Sequence, residues 1–185
     1  MEKPELVVIS GSPHLGGSTE KLVFNWLGSV RDEFFLVQLS QTNFYPCLGC
    51  QQCMESNSLG ECVFGPKDEV NFVFSKLALG QKVVLFAPIY FYHLPGKLKS
   101  FLDRAQSFYA LKIHKRLKTN SGKLKVVLLA GRSKGEKLFS GAELTLTYFA
   151  KIFDLEVTCL NLRGIDSPKD VSPAVLERVF SFLLG

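Results

Sequence analysis

Short apolar runs alternate along this chain with longer segments in which apolar residues recur every three or four positions. The runs are typical of buried strands, and the longer segments have the period of amphipathic helices. The predicted strands span residues 6–9, 34–39, 82–87, 125–130 and 156–160. The predicted helices span residues 18–31, 67–79, 95–108, 138–153 and 172–184. The segment 109–123 is expected to be irregular and exposed.

Five strands that alternate with helices predict an α/β fold, a three-layer sandwich in which a five-stranded parallel sheet has helices on both faces. In the strand order 2-1-3-4-5, strands one, three and four are neighbours. The loops that follow these three strands are the unusual ones, and they span residues 10–19, 88–94 and 131–137. Ligands bind beyond the carboxyl ends of the strands in such sheets. We therefore expect the three loops to form one site.

The first of these loops, SGSPHLGGST, has the composition of a phosphate cradle. A Gly- and Ser-rich turn between a strand and a helix brings N–H groups and hydroxyls to one point, and the helix N-terminus favours an anion. Gly11, Gly16 and Ser18 fit the spacing of a nucleoside triphosphate loop, but Gly17 replaces its lysine. The loop is thus predicted to hold a single terminal phosphate, an ordinary strand–helix turn being the alternative. Ser18 or Thr19 is the predicted helix cap.

The second loop is dense in aromatic residues. It presents Tyr90, Phe91 and Tyr92 directly after a strand, without an acid–base pair or a nucleophile. Flat side chains and backbone amides suit a planar ring system that the backbone bonds at its edge. The alternative is that these residues only pack. A phosphate cradle on strand one with a ring slot on strand three describes a flavin mononucleotide (FMN).

Length and charge limit the class of protein. The 185 residues predict one domain over 1–185, and no apolar run approaches the roughly 18 residues that span a membrane. The charged segment MEKPE does not resemble a signal peptide, so we expect a cytoplasmic protein without membrane association.

The net charge of +5 is unevenly placed. One segment holds nine basic residues against Glu136 alone: Lys112, Lys115, Arg116, Lys118, Lys123, Lys125, Arg132, Lys134 and Lys137. A nucleic-acid patch, a basic mouth for an anionic cofactor and a solvated loop are the alternatives. No recognition motif accompanies the charge, so nucleic acid is not the expected partner.

Four of the five cysteines lie in the loop over residues 40–66, in the pattern Cys47-x2-Cys50-x2-Cys53-x8-Cys62. Without an export signal, a disulfide framework is not expected. Structural zinc usually takes two separated CxxC pairs. Three cysteines at successive CxxC steps plus a fourth are closer to a [4Fe–4S] arrangement, with zinc and redox-active thiols left as alternatives. The fifth, Cys159, is predicted to be a small core residue.

Three segments together carry a family resemblance: SGSPHLGGSTEKL, PCLGCQQC…GEC and PIYFYHLPGKLKSFLDR. In this order and spacing they resemble the NAD(P)H-dependent FMN reductase family, and within it the iron–sulfur flavoproteins, over residues 5–105. The resemblance implies a flavodoxin-like fold, bound FMN and a homodimer or homotetramer. It also implies electron transfer from NADPH, NADH or another redox carrier to an acceptor such as a quinone, free flavin or an electron-transfer protein.

The resemblance implies roles for individual residues. Ser12, Ser18 and Thr19 would hold the FMN phosphate, with His14 and Gly17 beside it. The isoalloxazine ring would be lined by four residues of the second loop and approached by the opening glycine of the third: Pro88, Ile89, Tyr90, Phe91 and Gly131. The family often has arginine in place of His14 and asparagine in place of Ser18. No catalytic side chain is predicted, because the cofactor carries the reaction.

Three other functions remain alternatives at this point. The first is an electron carrier or redox sensor with FMN, and with or without a [4Fe–4S] cluster, that has no turnover of its own. The second is a nucleotide-binding hydrolase, which the missing lysine disfavours. The third is a flavin-free interaction module in which the basic segment binds an acidic partner.

Overall fold

Strands and helices alternate in the order that the apolar pattern predicts. The computed structural model describes residues 6–80 and 82–185, so the charged segment 1–5 lies outside the described residues. The strands are β1 (Leu6–Ser10), β2 (Phe34–Gln38), β3 (Lys82–Pro88), β4 (Gly122–Ala130) and β5 (Leu155–Arg163). The helices are α1 (Ser18–Leu27), α2 (Val70–Leu79), α3 (Gly96–Asp103), α4 (Gln106–Ile113), α5 (Ser140–Ile152) and α6 (Pro173–Leu184).

All five strands are parallel and lie in the order β2-β1-β3-β4-β5, which confirms the predicted flavodoxin-like topology. The register pairs Ser10, the last residue of β1, with Phe86 of β3. Phe86 in turn pairs with Val127 of β4. The carboxyl ends of β1, β3 and β4 therefore lie side by side, and the loops that follow them meet at one edge of the sheet.

Alternate residues of the central strands face two separate helix layers. Val7 and Ile9 belong to the core on the side of α2, α3, α4 and α5. Leu6 and Val8 belong to the core on the side of α1 and α6. Both faces of the sheet are covered, which explains why the strands are continuous apolar runs. An aromatic cluster fills the first core, where the ring of Phe74 contacts those of Phe101, Phe108, Phe149 and Phe153.

The prediction of a single helix over residues 95–108 is wrong, because two helices, α3 and α4, occupy this part of the chain. Between them the N–H groups of Arg104 and Ala105 donate to carbonyls three residues earlier, at 3.2 and 3.0 Å. Such bonds form a tighter turn that interrupts the α-helical pattern between α3 and α4. The same turn carries the side chain of Arg104 into the protein interior, where it is 1% exposed.

The segment 109–123, predicted to be irregular, is ordered at both ends. α4 continues through Ile113, and β4 already begins at Gly122. Lys112 at the end of α4 forms an ion pair with Asp154, which precedes β5. No helix in the described ranges is long and apolar enough to cross a membrane.

Candidate functional site

The loop after β1 is held against β3 by its backbone. The Gly11 N–H donates to Phe86 O at 2.7 Å. A Cβ on Gly11 would lie 2.7 Å from Leu98 Cδ2 and 3.1 Å from Phe86 O, so this close approach requires glycine. The Ser12 hydroxyl donates to His14 O at 3.1 Å and accepts the His14 N–H at 3.2 Å. Ser12 therefore shapes the loop as well as lining the space that the loop encloses.

Glu20 fixes the other end of the loop, a role that sequence reasoning missed. It is buried in the first turn of α1, where the helix dipole favours a carboxylate. Its Oε2 accepts the Gly16 N–H at 2.7 Å, and its Oε1 accepts from Gln38 Nε2 at 3.3 Å and Ser40 Oγ at 3.1 Å. Gly16 has φ +70°, the left-handed conformation that glycine adopts easily. The signal available in the sequence was an acidic residue in a predicted first helical turn.

The N-terminus of α1 is open to a ligand. The predicted cap is wrong, because Gly17 and not Ser18 or Thr19 occupies the N-cap position, and no side chain caps the helix. The first N–H groups of a helix lack intrahelical partners and carry partial positive charge. Gly17, Ser18 and Thr19 line a cavity at this point. The site thus combines uncapped amides with two hydroxyls, which suits an anion.

The three loops after β1, β3 and β4 meet around this cavity, which has a volume of about 150 Å³. It is lined by nine of the ten residues predicted for the cofactor site: Ser12, His14, Gly17, Ser18, Thr19, Pro88, Ile89, Tyr90 and Gly131. The tenth, Phe91, lines an adjoining cavity of about 480 Å³. The two cavities share three residues and so form one continuous depression along the sheet edge: Ile89, Gly131 and Asp166.

The aromatic loop after β3 is a tight hairpin. The N–H of Tyr90 donates to His93 O at 2.8 Å, and the N–H of His93 donates back to Tyr90 O at 3.0 Å. Its two central residues, Phe91 and Tyr92, have φ values of 50° and 62°. A turn of this kind normally takes Asn or Gly, so the aromatics here are in a strained conformation. Phe91 is fully exposed at the tip.

The backbone of this hairpin is partly used within the protein. The Ile89 N–H donates to Leu129 O at 2.6 Å, and that of Tyr90 is used in the turn. These two amides are therefore not available to a ring edge. The Leu94 N–H donates to His93 Nδ1 at 2.9 Å, which assigns the proton to Nε2, 3.2 Å from Thr145 Oγ1 on α5. The hairpin is thereby anchored at its base while its tip is exposed.

Asp166, in the loop after β5, is a second residue that sequence reasoning missed. It lines both cavities. A Cβ on Gly131 would lie 2.5 Å from Asp166 Oδ1, so any larger residue here would displace the Asp166 side chain. Arg132 lies over the Tyr92 ring, 5.5 Å from its centroid, and also lines the larger cavity. One of the nine basic residues between positions 112 and 137 therefore lines the larger cavity of the site.

The four loop cysteines surround a separate cavity of about 370 Å³. Gly49 and Gly60 have φ values of 66° and 81°, as expected for the tight turns of this loop. Burial raises the pKa of Cys53, and the other three thiols add to the effect because they are near. The cavity is lined by Cys47, Cys50, Cys53 and Cys62, together with Phe64 and Arg104.

The cysteines lie around a space rather than at one point. In the ranges 6–80 and 82–185, no three His, Cys, Asp or Glu side chains converge to hold a single metal ion. A [4Fe–4S] cluster takes four cysteine thiolates, each on its own iron, so its ligands surround a group of some size. The four cysteines that line this cavity supply the number and type of donors that such a cluster takes. Cys159 lies apart on β5, half-buried against the core, and burial raises its pKa to about 11.

A buried ion pair closes the base of the cysteine loop. Arg104 Nη1 lies 2.6 Å from Asp68 Oδ2 and donates to Tyr45 O at 2.8 Å. Asp68 Oδ2 also accepts the Tyr45 N–H at 3.2 Å, and its Oδ1 accepts the Val70 N–H at 3.1 Å. Burial alone would raise the pKa of Asp68, but the hydrogen bonds from Arg104, Tyr45 and Val70 hold it below its ordinary value.

Comparison with known proteins identifies the family. Residues 4–138 match the sequence profile of the family described as NADPH-dependent FMN reductase. The chain belongs to this family. An iron–sulfur flavoprotein of Methanocaldococcus jannaschii is 30% identical over 105 residues, which are 55% of this chain and 52% of that protein. An iron–sulfur flavoprotein of Methanosarcina thermophila is 28% identical over 100 residues, 52% of this chain and 50% of that one. The chain spans about half the length of these relatives.

Solved structures share the fold of this FMN reductase family member along almost its whole length. An NAD(P)H:quinone oxidoreductase from Methanothermobacter marburgensis matches with a TM-score of 0.67 at 14% identity, over 97% of this chain and 94% of that chain. An azoreductase from Bacillus anthracis matches with a TM-score of 0.63 at 11% identity, over 95% and 94%. At this level of identity the two likenesses establish the flavodoxin-like fold alone.

Proposed function

We propose that this chain is an FMN-dependent oxidoreductase that takes electrons from NADPH or NADH and passes them to an acceptor. The observation that carries the proposal is the meeting of three loops around one cavity at the carboxyl edge of the sheet. Nine residues expected to contact FMN line that cavity. Membership of the NADPH-dependent FMN reductase family supports the same cofactor.

The phosphate of FMN would lie at the N-terminus of α1. The uncapped amides there would donate to phosphate oxygens, and the hydroxyls of Ser18 and Thr19 would add further donors. Glu20 holds Gly16 from behind the loop and thereby keeps the amides in position. His14, exposed at the rim, would contribute a ring N–H in place of the arginine common in the family.

The ring of FMN would lie against Pro88, Ile89 and Tyr90, with Gly131 allowing close approach from the neighbouring strand. Bound FMN supplies hydride acceptance and electron transfer. The protein residues orient the ring and leave one side open to the larger cavity. Arg132, which lines that cavity, would attract the anionic phosphates of NADPH or NADH, or an anionic acceptor. The quinone and azo acceptors in the names of the structural relatives suggest acceptors of the same kind.

The cysteine cavity is proposed to hold a [4Fe–4S] cluster through Cys47, Cys50, Cys53 and Cys62. Two observations support this cofactor: all four side chains line one cavity, and two relatives are named iron–sulfur flavoproteins. Zinc and redox-active thiols are the alternatives. Metal analysis of anaerobically purified protein separates them, since iron with equal acid-labile sulfide indicates a cluster, zinc a structural ion, and neither indicates thiols.

A homodimer or homotetramer in the cytoplasm is also proposed. Tyr109 of α4 and Tyr148 of α5 are exposed and line a groove between the two helices, and Leu144 of α5 is also exposed. Exposed apolar side chains that cluster in this way favour association. Sedimentation velocity at several concentrations tests this, and a monomer at all of them would contradict it.

The phosphate site is tested by the double variant Ser12→Ala with Thr19→Val. Both side chains line the cavity, and their loss should weaken FMN retention about tenfold, which corresponds to about 1.4 kcal/mol. Ser29→Ala is the matched control, because this hydroxyl donates to Trp26 O away from the cavity. Equal FMN affinity in the double variant and the control would contradict the phosphate assignment.

An electron carrier without turnover is the second candidate, and the cysteine cavity favours it. A cluster in this separate cavity would pass single electrons to a protein partner. The two functions differ in one assay. Steady oxidation of NADPH or NADH with a quinone or free flavin supports the enzyme, whereas flavin that is reduced only by a protein donor supports the carrier.

A further inference from the structure

A buried guanidinium forms part of the wall of the cysteine cavity. Arg104 is 1% exposed and lines the cavity together with the four loop cysteines. Burial alone would lower the pKa of Arg104, but its hydrogen bonds with Asp68 and the neighbouring Cys62 side chain raise it. Arg104 is therefore a permanent cation that faces the cysteine ligands from inside the fold.

The hydrogen bonds of this guanidinium leave one nitrogen unpaired. Nη1 donates to Tyr45 O and to Asp68 Oδ2, and Nη2 donates to Asp68 Oδ1 at 3.1 Å. Nε is buried and makes no hydrogen bond of normal geometry in the described part of the chain, although the Cys62 side chain interacts with the guanidinium. A buried donor on a charged group is costly to leave unpaired. Since Arg104 lines the cysteine cavity, its Nε–H indicates an acceptor within that cavity.

We propose that Arg104 donates its Nε–H to the sulfur of a cysteine that binds the group in the cavity. This hydrogen bond and the charge of Arg104 raise the reduction potential of that group. The inference rests on the proposed [4Fe–4S] cluster. Hydrogen bonds to sulfur and nearby charge are means by which proteins set cluster potentials. One-electron reduction of such a cluster, for which reduced FMN would be the donor, would add one negative charge without transfer of an atom. A cation and an N–H donor beside the sulfur stabilise that added charge.

Asp68 lowers the reduction potential of the group, because it acts on the charge of Arg104. Its carboxylate accepts from two nitrogens of the guanidinium and offsets the positive charge. When Asp68 is replaced by asparagine, the charge of Arg104 is no longer compensated. The reduced group should then be stabilised more than in the wild type. Substitutions at Arg104 and at Asp68 should therefore shift the reduction potential in opposite directions.

The test is a redox titration of the 185-residue chain after anaerobic reconstitution with iron and sulfide. Arg104→Gln removes the cation, Arg104→Lys keeps the charge without the Nε–H, and Asp68→Asn keeps the cation. We expect midpoint potentials that rise in the order Gln, Lys, wild type and Asn variant. Lys99→Gln is the matched control, because it removes an exposed cation of α3 that pairs with Asp103, and it should leave the potential unchanged.

The outcomes separate this inference from the proposed function. A wild type that binds no iron and sulfide overturns both the cluster and the role of Arg104. A loaded wild type with the same midpoint potential as the Arg104→Lys variant leaves the cluster standing and overturns the inference, because Arg104 would then only hold the loop. Shifts of the same sign in the Lys and Asn variants also overturn it. If the Gln variant does not fold, the other two variants still give the comparison.

Discussion

The carboxylate of Asp68 lies 2.6 Å from the guanidinium of Arg104, and this buried pair joins the two ends of the cysteine loop. Tyr45 precedes the four cysteines in sequence, and its backbone forms hydrogen bonds with both members of the pair. Its ring stacks on Phe64 with centroids 4.7 Å apart. The loop is therefore held at its base by groups inside the fold, while Cys47 and Cys50 are exposed.

Removing one member of this pair should destabilise the protein. Asp68→Ala leaves the Arg104 charge buried without its partner, which typically costs about 3–5 kcal/mol. Urea denaturation of the cofactor-free protein measures the change in the free energy of unfolding. Asp103→Ala is the control, since its ion pair with Lys99 is exposed and should contribute at most about 1 kcal/mol. Equal losses in the two variants would contradict the structural role of the buried pair.

The same carboxylate predicts a dependence of stability on acid pH. The pKa of Asp68 in the folded protein lies below its ordinary value of about 3.9. Its contribution is therefore complete above about pH 4 and is lost as the pH falls through the folded pKa. We expect the difference in unfolding free energy between wild type and Asp68→Asn to be constant above about pH 5 and to shrink below pH 4. A difference that stays constant on acidification would contradict this assignment.

Glu20 should matter to FMN although it does not line the cavity. Glu20→Ala removes the acceptor of the Gly16 N–H and of two side chains, so the phosphate loop loses its support. We expect FMN to bind about tenfold more weakly, equivalent to about 1.4 kcal/mol. Fluorescence titration of the apoprotein measures the dissociation constant. Glu177→Ala on the exposed face of α6 is the control, and matching affinities in the two variants would show that Glu20 does not support the phosphate loop.

The strain at the hairpin tip can be measured directly at Phe91. Phe91→Gly relieves the cost of a positive φ, whereas Phe91→Ala removes the same ring and keeps that cost. The glycine variant should be more stable than the alanine variant by about 1 kcal/mol. Because Phe91 is fully exposed, neither change removes packing in the core. An alanine variant that is equally stable would show that the turn is not strained.

The sequence was sufficient for the sheet and for most of the candidate site, because their signals are local. Continuous apolar runs follow from strands covered on both faces, and the glycine-rich and aromatic loops stand out by composition. The contacts made by Glu20, Asp166 and Arg104 were not predicted. Each depends on a contact with a distant segment, such as Asp166 against Gly131 or Arg104 against Asp68. The break between α3 and α4 was missed because a helical period continues across it.

The most direct test of the proposed function is the anaerobic absorption spectrum of the purified protein before and after addition of NADPH or NADH. We expect flavin bands, about one FMN released per chain on denaturation, and loss of the flavin bands when NADPH or NADH is added. A protein that is purified without flavin and takes up no added FMN would contradict the assignment of the cavity between the loops after β1, β3 and β4.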